Sequence, residues 1–145
     1  MQPLPHHYAV SVTAAPEGKL STTGHDVPEL LTSPPPQFGG EGGDWSPEDL
    51  LLAATANCLA LSFRAIARAS RLEWVSLQCA TEGTLDKEER TIKFTSMTSR
   101  VKLVLPAGVD IEKGKRLLQK AEDSCLVSNT LNCPVHLEMD VQTEG

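Results

Sequence analysis

The chain has 145 residues, 40% of them hydrophobic and 22% charged, with a formal net charge of −6; this predicts one domain, residues 1–145, with a full core. The acidic balance and the lack of a long basic run argue against nucleic acid as a partner, and the longest apolar stretch, Leu50 to Ala56, is far short of the roughly 20 residues that span a bilayer. The opening MQPLPHHY has no charged region followed by an apolar core, and four cysteines are too few for a secreted disulfide scaffold, so a cytoplasmic protein is expected, in which any disulfide is catalytic rather than structural.

Taken in chain order, His7 to Thr13 places Tyr8, Val10 and Val12 on one face, a short strand signal. Pro16-Glu17-Gly18 is a turn, and a second short strand is expected from Lys19 to Thr23. Ser33-Pro34-Pro35-Pro36 is extended, because each proline restrains the residue before it. Phe38-Gly39-Gly40-Glu41-Gly42-Gly43 is expected to be a flexible loop; it lacks the GK[ST] ending of a phosphate-cradling loop. Ser46 then starts the main helix. It is a good N-cap, Pro47 suits the first turn, and Asp49 stands where a capping-box acid belongs. Asp44, Glu48 and Asp49 complement the positive helix end, and Arg64, Arg68 and Arg71 the negative end. Ending near Ser70, the helix is about 35 Å long. Its first half is apolar on every side, which predicts burial all round. A chain of this size cannot easily surround such a helix, so packing between subunits is the natural solution.

Beyond the helix, Val75, Leu77 and Cys79 alternate with Ser76, Gln78 and Ala80, a half-buried strand. Asp86-Lys87-Glu88-Glu89-Arg90 is expected to be a polar turn. A long strand follows from Thr91 to Leu105. Its apolar phase slips near Ser96, since Ile92 and Phe94 share one parity and Met97, Val101, Leu103 and Leu105 the other; this predicts a bulge. Pro106-Ala107-Gly108 breaks the strand. Asp110 caps a second helix carrying Leu117, Leu118, Ala121 and Cys125 on or near one face. Val135, Leu137, Met139 and Val141 form a closing strand. The order β-β-α-β-β-α-β is an α+β arrangement.

The cysteines divide by position. Cys79 and Cys133 are in phase with apolar strand neighbours and are expected to be inert core thiols. With no CxxC pair and no usual ligand spacing between Cys125 and Cys133, a zinc site is not expected. His6, His7, His25 and His136 form no metal pattern either, and His136 is expected on the solvated strand face. Cys58 and Cys125 remain, both assigned to helices. One turn from Cys58 stand Ala54, Thr55, Leu61 and Ser62. Three of these four are small, which either leaves room beside the sulfur or lets another helix pack closely.

The stretch S-P-E-D-L-L-L-A-A-x-A-x-C from Ser46 to Cys58, followed by A-E-D-S-C-L-V-S from Ala121 to Ser128, resembles the osmotically induced protein C and organic hydroperoxide resistance (OsmC/Ohr) family. The likeness extends from about Phe38 to Val141. It implies an OsmC-like fold, an intertwined homodimer around a long buried central helix, and a thiol peroxidase that needs no metal or organic cofactor. Cys58 matches the family's peroxidatic cysteine and Cys125 its resolving cysteine. Glu48 matches the glutamate that helps position an arginine in the hydroperoxide-resistance branch. This sequence departs from that branch at the turn supplying the arginine, here Ala15-Pro16-Glu17-Gly18. No arginine precedes Arg64, and the nearest cation is Lys19, which cannot copy a bidentate arginine.

The implied chemistry is attack by the Cys58 thiolate on an organic hydroperoxide, giving an alcohol and a sulfenic acid. Condensation with Cys125 gives a disulfide, and a dithiol reductant restores both thiols. Apolar surroundings suit an alkyl or fatty-acid hydroperoxide better than hydrogen peroxide. They also raise a thiol's pKa, so a cation or hydrogen-bond donor must offset the burial. The alternatives are an OsmC-like redox-sensing or small-ligand-binding protein with little turnover, and a protein whose thiols merely pack.

Overall fold

A computed structural model describes residues 1–145. The chain forms two compact units, Met1–Leu51 and Leu52–Gly145. The first holds an antiparallel meander of three short strands, β1 (Val10–Thr13), β2 (Leu20–Gly24) and β3 (Leu30–Thr32). β1 starts three positions later than expected, and Tyr8, Val10 and Val12 are all exposed. β3 was not expected: three residues are too few to establish an alternation.

Pro36–Phe38 form a 3₁₀ turn closed by Gly39 at φ 85°. Gly40 packs so close to Pro34 that a Cβ would lie 1.9 Å from the Pro34 carbonyl oxygen, and its N–H donates to Pro35 O at 3.1 Å. The glycine-rich stretch is therefore partly built, not simply flexible. Asp44 anchors it: Lys19 Nζ lies 3.2 Å from the Asp44 carboxylate, and Ser33 Oγ donates to Asp44 Oδ2 at 3.3 Å.

The helix α1 (Pro47–Ala69) begins in this unit and runs on into the second. Its start is the expected capping box. Ser46 Oγ accepts from Asp49 N at 3.1 Å, and Asp49 Oδ2 accepts from Ser46 N at 3.4 Å. At its far end Arg71 turns the chain at φ 56°, and Lys113 Nζ donates to the Ser70 carbonyl at 3.1 Å, completing an otherwise orphaned helix terminus.

In the second unit β4 (Ser76–Glu88), β5 (Thr91–Leu105) and β6 (Val135–Thr143) form one sheet in that order. β4 and β5 are antiparallel, whereas β5 and β6 run parallel. The parallel pairing requires a crossover, supplied by α2 (Ile111–Asp123) and a short α3 (Leu126–Thr130). Asp110 caps α2 as expected, Oδ1 accepting from Glu112 N at 2.9 Å. The expected bulge is present: Thr84 pairs with Ser96 and Leu85 with Phe94, leaving Thr95 as the extra residue. The expected turn at Asp86–Arg90 is shorter, because β4 continues through Glu88 and only Glu89, at φ 58°, and Arg90 connect the strands. A two-residue hairpin with a positive φ matches the twist of its strands.

The fold is α+β. Its observed order adds β3 and α3 to the expected elements. The core joins Leu59, Phe63 and Ala67 of α1, Val101, Leu103 and Leu105 of β5, Leu117, Leu118 and Ala121 of α2, and Val141 of β6. Phe63 meets Trp74 edge to face, with centroids 5.6 Å apart. Both helices approach the sheet closely. A Cβ on Gly83 would lie 2.9 Å from the Phe94 ring and 3.0 Å from Leu52 Cδ2; one on Gly114 would lie 3.2 Å from Leu105 Cδ1. The expectation of all-round burial for α1 is not met within the chain. One stripe at four-residue spacing, Thr55, Leu59, Phe63 and Ala67, is buried, while Ala54 is exposed and Leu61 is 56% exposed. Over its whole length α1 is also long and apolar enough to match a membrane span by composition, although Leu50–Ala56 alone is too short.

Candidate functional site

Cys58 stands at the flank of the buried α1 stripe and is half-buried. Its neighbour Leu59 is fully enclosed and so fixes the helix rotation, leaving the sulfur at the margin of the core. Thr55, one turn earlier, is also fully buried, its Oγ1 4.0 Å from Met97 Sδ on β5.

Cys125 arrives from α2. The buried face Gly114, Leu117, Leu118 and Ala121 holds that helix on the sheet. Ser124 ends it at φ −102°, ψ 4°, with its N–H donating to Lys120 O and its hydroxyl satisfying the same carbonyl at 2.8 Å. Cys125 is therefore not a residue of α2. It is the N-cap of α3, in extended conformation, its N–H donating to Glu122 O at 3.1 Å and its carbonyl accepting from Asn129 N at 2.9 Å. It is fully buried.

This geometry places the two thiols near enough for Cys58 to act on the ionisation of Cys125, and both are free rather than disulfide-bonded. Burial pushes the Cys125 thiol up, the hydroxyl and backbone N–H of Ser128 pull it down, and Cys58 adds a further upward push. Ser128 is the only group that eases its ionisation.

A second buried polar group stands near Ser128. Glu122, one turn before Cys125 on α2, is only 9% exposed, and its Oε2 has no hydrogen-bond partner. Burial holds its carboxyl above the usual range; Ser128 lowers it and Asp123 adds to the rise. Ser128 Oγ is likewise buried without a well-formed hydrogen bond, although it lies near both the Cys125 sulfur and the Glu122 carboxylate. Glu122 also acts on Cys79 of β4, whose thiol is pushed up mainly by burial and eased by Thr81 and Ser99. The Thr81 and Ser99 hydroxyls bond to each other at 2.8 Å. A cleft of about 480 Å³ opens on Glu122, Ser128, Asn129 and His136.

The other expected site residue, Glu48, is half-buried in the first turn of α1, within the N-terminal unit. Cys79 is a half-buried strand residue as expected, and Cys133, just ahead of β6, is half-buried in phase with Val135 and Leu137 as expected. His136 is exposed on β6, as expected, and borders the cleft. Glu122 and Ser128 had no assigned role, although both lie inside the A-E-D-S-C-L-V-S stretch. Their three-residue spacing on either side of Cys125 was the available signal.

The model of the OsmC-like protein family matches residues 40–140. Among curated proteins, the chain is 27% identical over 113 residues to the uncharacterised protein YmaD of Bacillus subtilis (strain 168), covering 76% of this chain and 75% of that one. It is 25% identical over 107 residues to peroxiredoxin OsmC of Escherichia coli (strain K12), covering 74% and 73%. Among solved structures, an OsmC-like protein of unknown function from Vibrio cholerae superposes with a TM-score of 0.85 at 18% identity, over 94% of this chain and 100% of that one.

Proposed function

The chain belongs to the family of OsmC-like proteins, and from that premise we propose that it is a thiol peroxidase reducing organic hydroperoxides to alcohols. The observation that supports this reading is the proximity of two free thiols, the half-buried Cys58 and the fully buried Cys125, close enough for one to act on the other's ionisation. The more accessible sulfur suits the first attack. The Cys58 thiolate forms a bond to one peroxide oxygen, the O–O bond breaks, and the alkoxide leaves as alcohol after taking a proton. The sulfenic acid on Cys58 then condenses with Cys125, forming the S–S bond and releasing water. A dithiol reductant reopens the disulfide by exchange. No cofactor enters this cycle.

The protein acts as a homodimer in this reading. The support is the apolar surface α1 leaves uncovered, Leu61 above all. Pairing through the Ser46–Ser70 helix would cover it and could bring Glu48 of one chain to the thiols of the other. Glu48 and Cys58 of one chain are ten residues, about 15 Å, apart along a helix, which is too far for direct contact. Sedimentation checks the dimer: a compact, folded monomer at micromolar concentration contradicts it.

One observation favours a second reading, redox sensing or ligand binding with little turnover. Lys19, the cation nearest the turn where relatives in the hydroperoxide-resistance branch carry arginine, is paired with Asp44. A peroxide-consumption assay separates the two. Alkyl hydroperoxide and hydrogen peroxide are compared, each with a lipoyl-type dithiol and with a monothiol. Peroxidase function predicts faster consumption of the alkyl substrate with the dithiol and its loss in Cys58→Ser. Consumption no faster than in Cys58→Ser supports sensing.

A further inference from the structure

Ser128 Oγ is buried beside the Cys125 thiol and the Glu122 carboxylate and eases the ionisation of both, without the geometry of a fully formed hydrogen bond to either. Glu122 Oε2 is similarly unpartnered in a residue more than nine-tenths buried. Buried polar atoms without partners are uncommon in folded proteins, because each carries an uncompensated desolvation cost. Two such atoms side by side, against a cysteine already implicated in redox chemistry, call for a functional explanation. Their setting supplies one. Glu122 and Ser128 border the cleft of about 480 Å³, which neither Cys58 nor Cys125 lines.

Resting on the peroxidase reading above, we infer that Glu122 is the proton acceptor for Cys125 in the resolving step, with Ser128 as the relay between them and the cleft as the exit to solvent. As the Cys125 sulfur attacks the sulfenic sulfur of Cys58, the S–S bond forms and the S–O bond breaks. The Cys125 proton moves to Ser128 Oγ, whose own proton moves to the Glu122 carboxylate. The hydroxide leaves into solvent, Glu122 returns its proton to water in the cleft, and the two neutralise to water. Thiol and sulfenic acid become disulfide and water, with no further oxidant or reductant.

The need for such a base follows from the burial of Cys125. A thiol with no adjacent cation to favour its ionisation is a poor nucleophile until its proton has somewhere to go. Glu122 is suited to receive it, since a carboxylate held above its ordinary range is a stronger base than a surface glutamate. The ionisable groups facing it are Asp123 on α2, Cys125 at the start of α3, Cys79 on β4 and His136 on β6 across the cleft. Asp123 reinforces the rise.

The test is single-turnover kinetics on the full-length protein with cumene hydroperoxide. Peroxide loss follows the Cys58 step. Dimedone trapping and peptide mass measurement follow the conversion of sulfenic acid to disulfide. In Glu122→Gln the rate constant for disulfide formation falls at least about tenfold relative to that for peroxide attack, and sulfenic acid accumulates. Its pH profile loses the acid limb set by Glu122, leaving the rise set by Cys125. Glu122→Asp restores part of the rate and the limb, a rescue that a purely structural role does not predict. Ser128→Ala slows the same step, and carries the test if Glu122→Gln does not fold. Disulfide formation at the wild-type rate and with the wild-type pH profile in Glu122→Gln, or at the wild-type rate in Ser128→Ala, overturns the relay while leaving the peroxidase reading intact. A wild-type protein that forms no Cys58–Cys125 disulfide overturns both.

Discussion

Replacing Glu122 by glutamine should stabilise the protein, and the gain should depend on pH with a definite sign. In the folded chain the carboxyl is held above its ordinary value of 4.5, chiefly by burial. The native state therefore binds the proton more tightly than the unfolded chain does. Well below pH 4.5 both states are protonated and the glutamate costs nothing extra. As pH rises from 4.5 to the raised native value, the unfolded chain ionises before the native site does, so stability falls over that interval and then levels off. An unsatisfied buried acceptor costs about 1–3 kcal/mol, more when charged. Because the cleft wets one side of Glu122, the lower end applies, and Glu122→Gln should gain about 1 kcal/mol at neutral pH. For a chain of this size that is a rise of about 3 °C in Tm. Urea unfolding of both proteins, at one protein concentration, below pH 4.5 and at neutral pH, measures it. The two should agree within error at the acid end and separate at the neutral end. Parallel pH dependences, or a variant less stable at neutral pH than at acid pH relative to wild type, would refute the reasoning. The same substitution that slows resolution should thus strengthen the fold, the usual trade where a functional group is buried at a cost.

Phe63 is fully enclosed and stacked edge to face on Trp74, so Phe63→Ala should lose about 3–5 kcal/mol in denaturant unfolding. Ser46→Ala removes one half of the α1 capping box and should cost about 1 kcal/mol by the same measurement. Under native thiol labelling, Cys125, fully buried and with its thiol pushed up, should react last, and Cys79 slowly; Cys133, partly exposed ahead of β6, should react sooner.

The elements legible in the sequence are those specified by local chemistry. Ser46 and Asp49 cap α1 because each can bond the other's backbone N–H. The slip in apolar phase near Ser96 marks a real bulge because side chains alternate strictly across a strand. Features set by few residues or by distant contacts were not legible. β3 is three residues long, and α3 exists because Ser124 and Cys125 leave helical geometry, which no periodicity announces. Charged Asp86–Glu88 pass for a turn in sequence, yet they pair in β4 with exposed side chains.

The candidate site divides in the same way. Cys58 and Cys125 could be singled out from their motifs, and the fold leaves them near enough for one to act on the other. Glu122 and Ser128 lie within one of those motifs, but their convergence on Cys125 depends on the break between α2 and α3. Composition also overstated the burial of α1, because an apolar helix surface can await a partner as well as a core. Leu61 is the clearest example.

Peptide mapping tests the central claim most directly. The reduced protein is treated with one equivalent of an alkyl hydroperoxide, its remaining thiols are blocked, and the digest is measured by mass. The account predicts a dominant peptide pair joined through Cys58 and Cys125 within one chain, reversed by dithiol. Unmodified Cys58, or a disulfide from Cys58 to Cys79 or Cys133 instead, would contradict it.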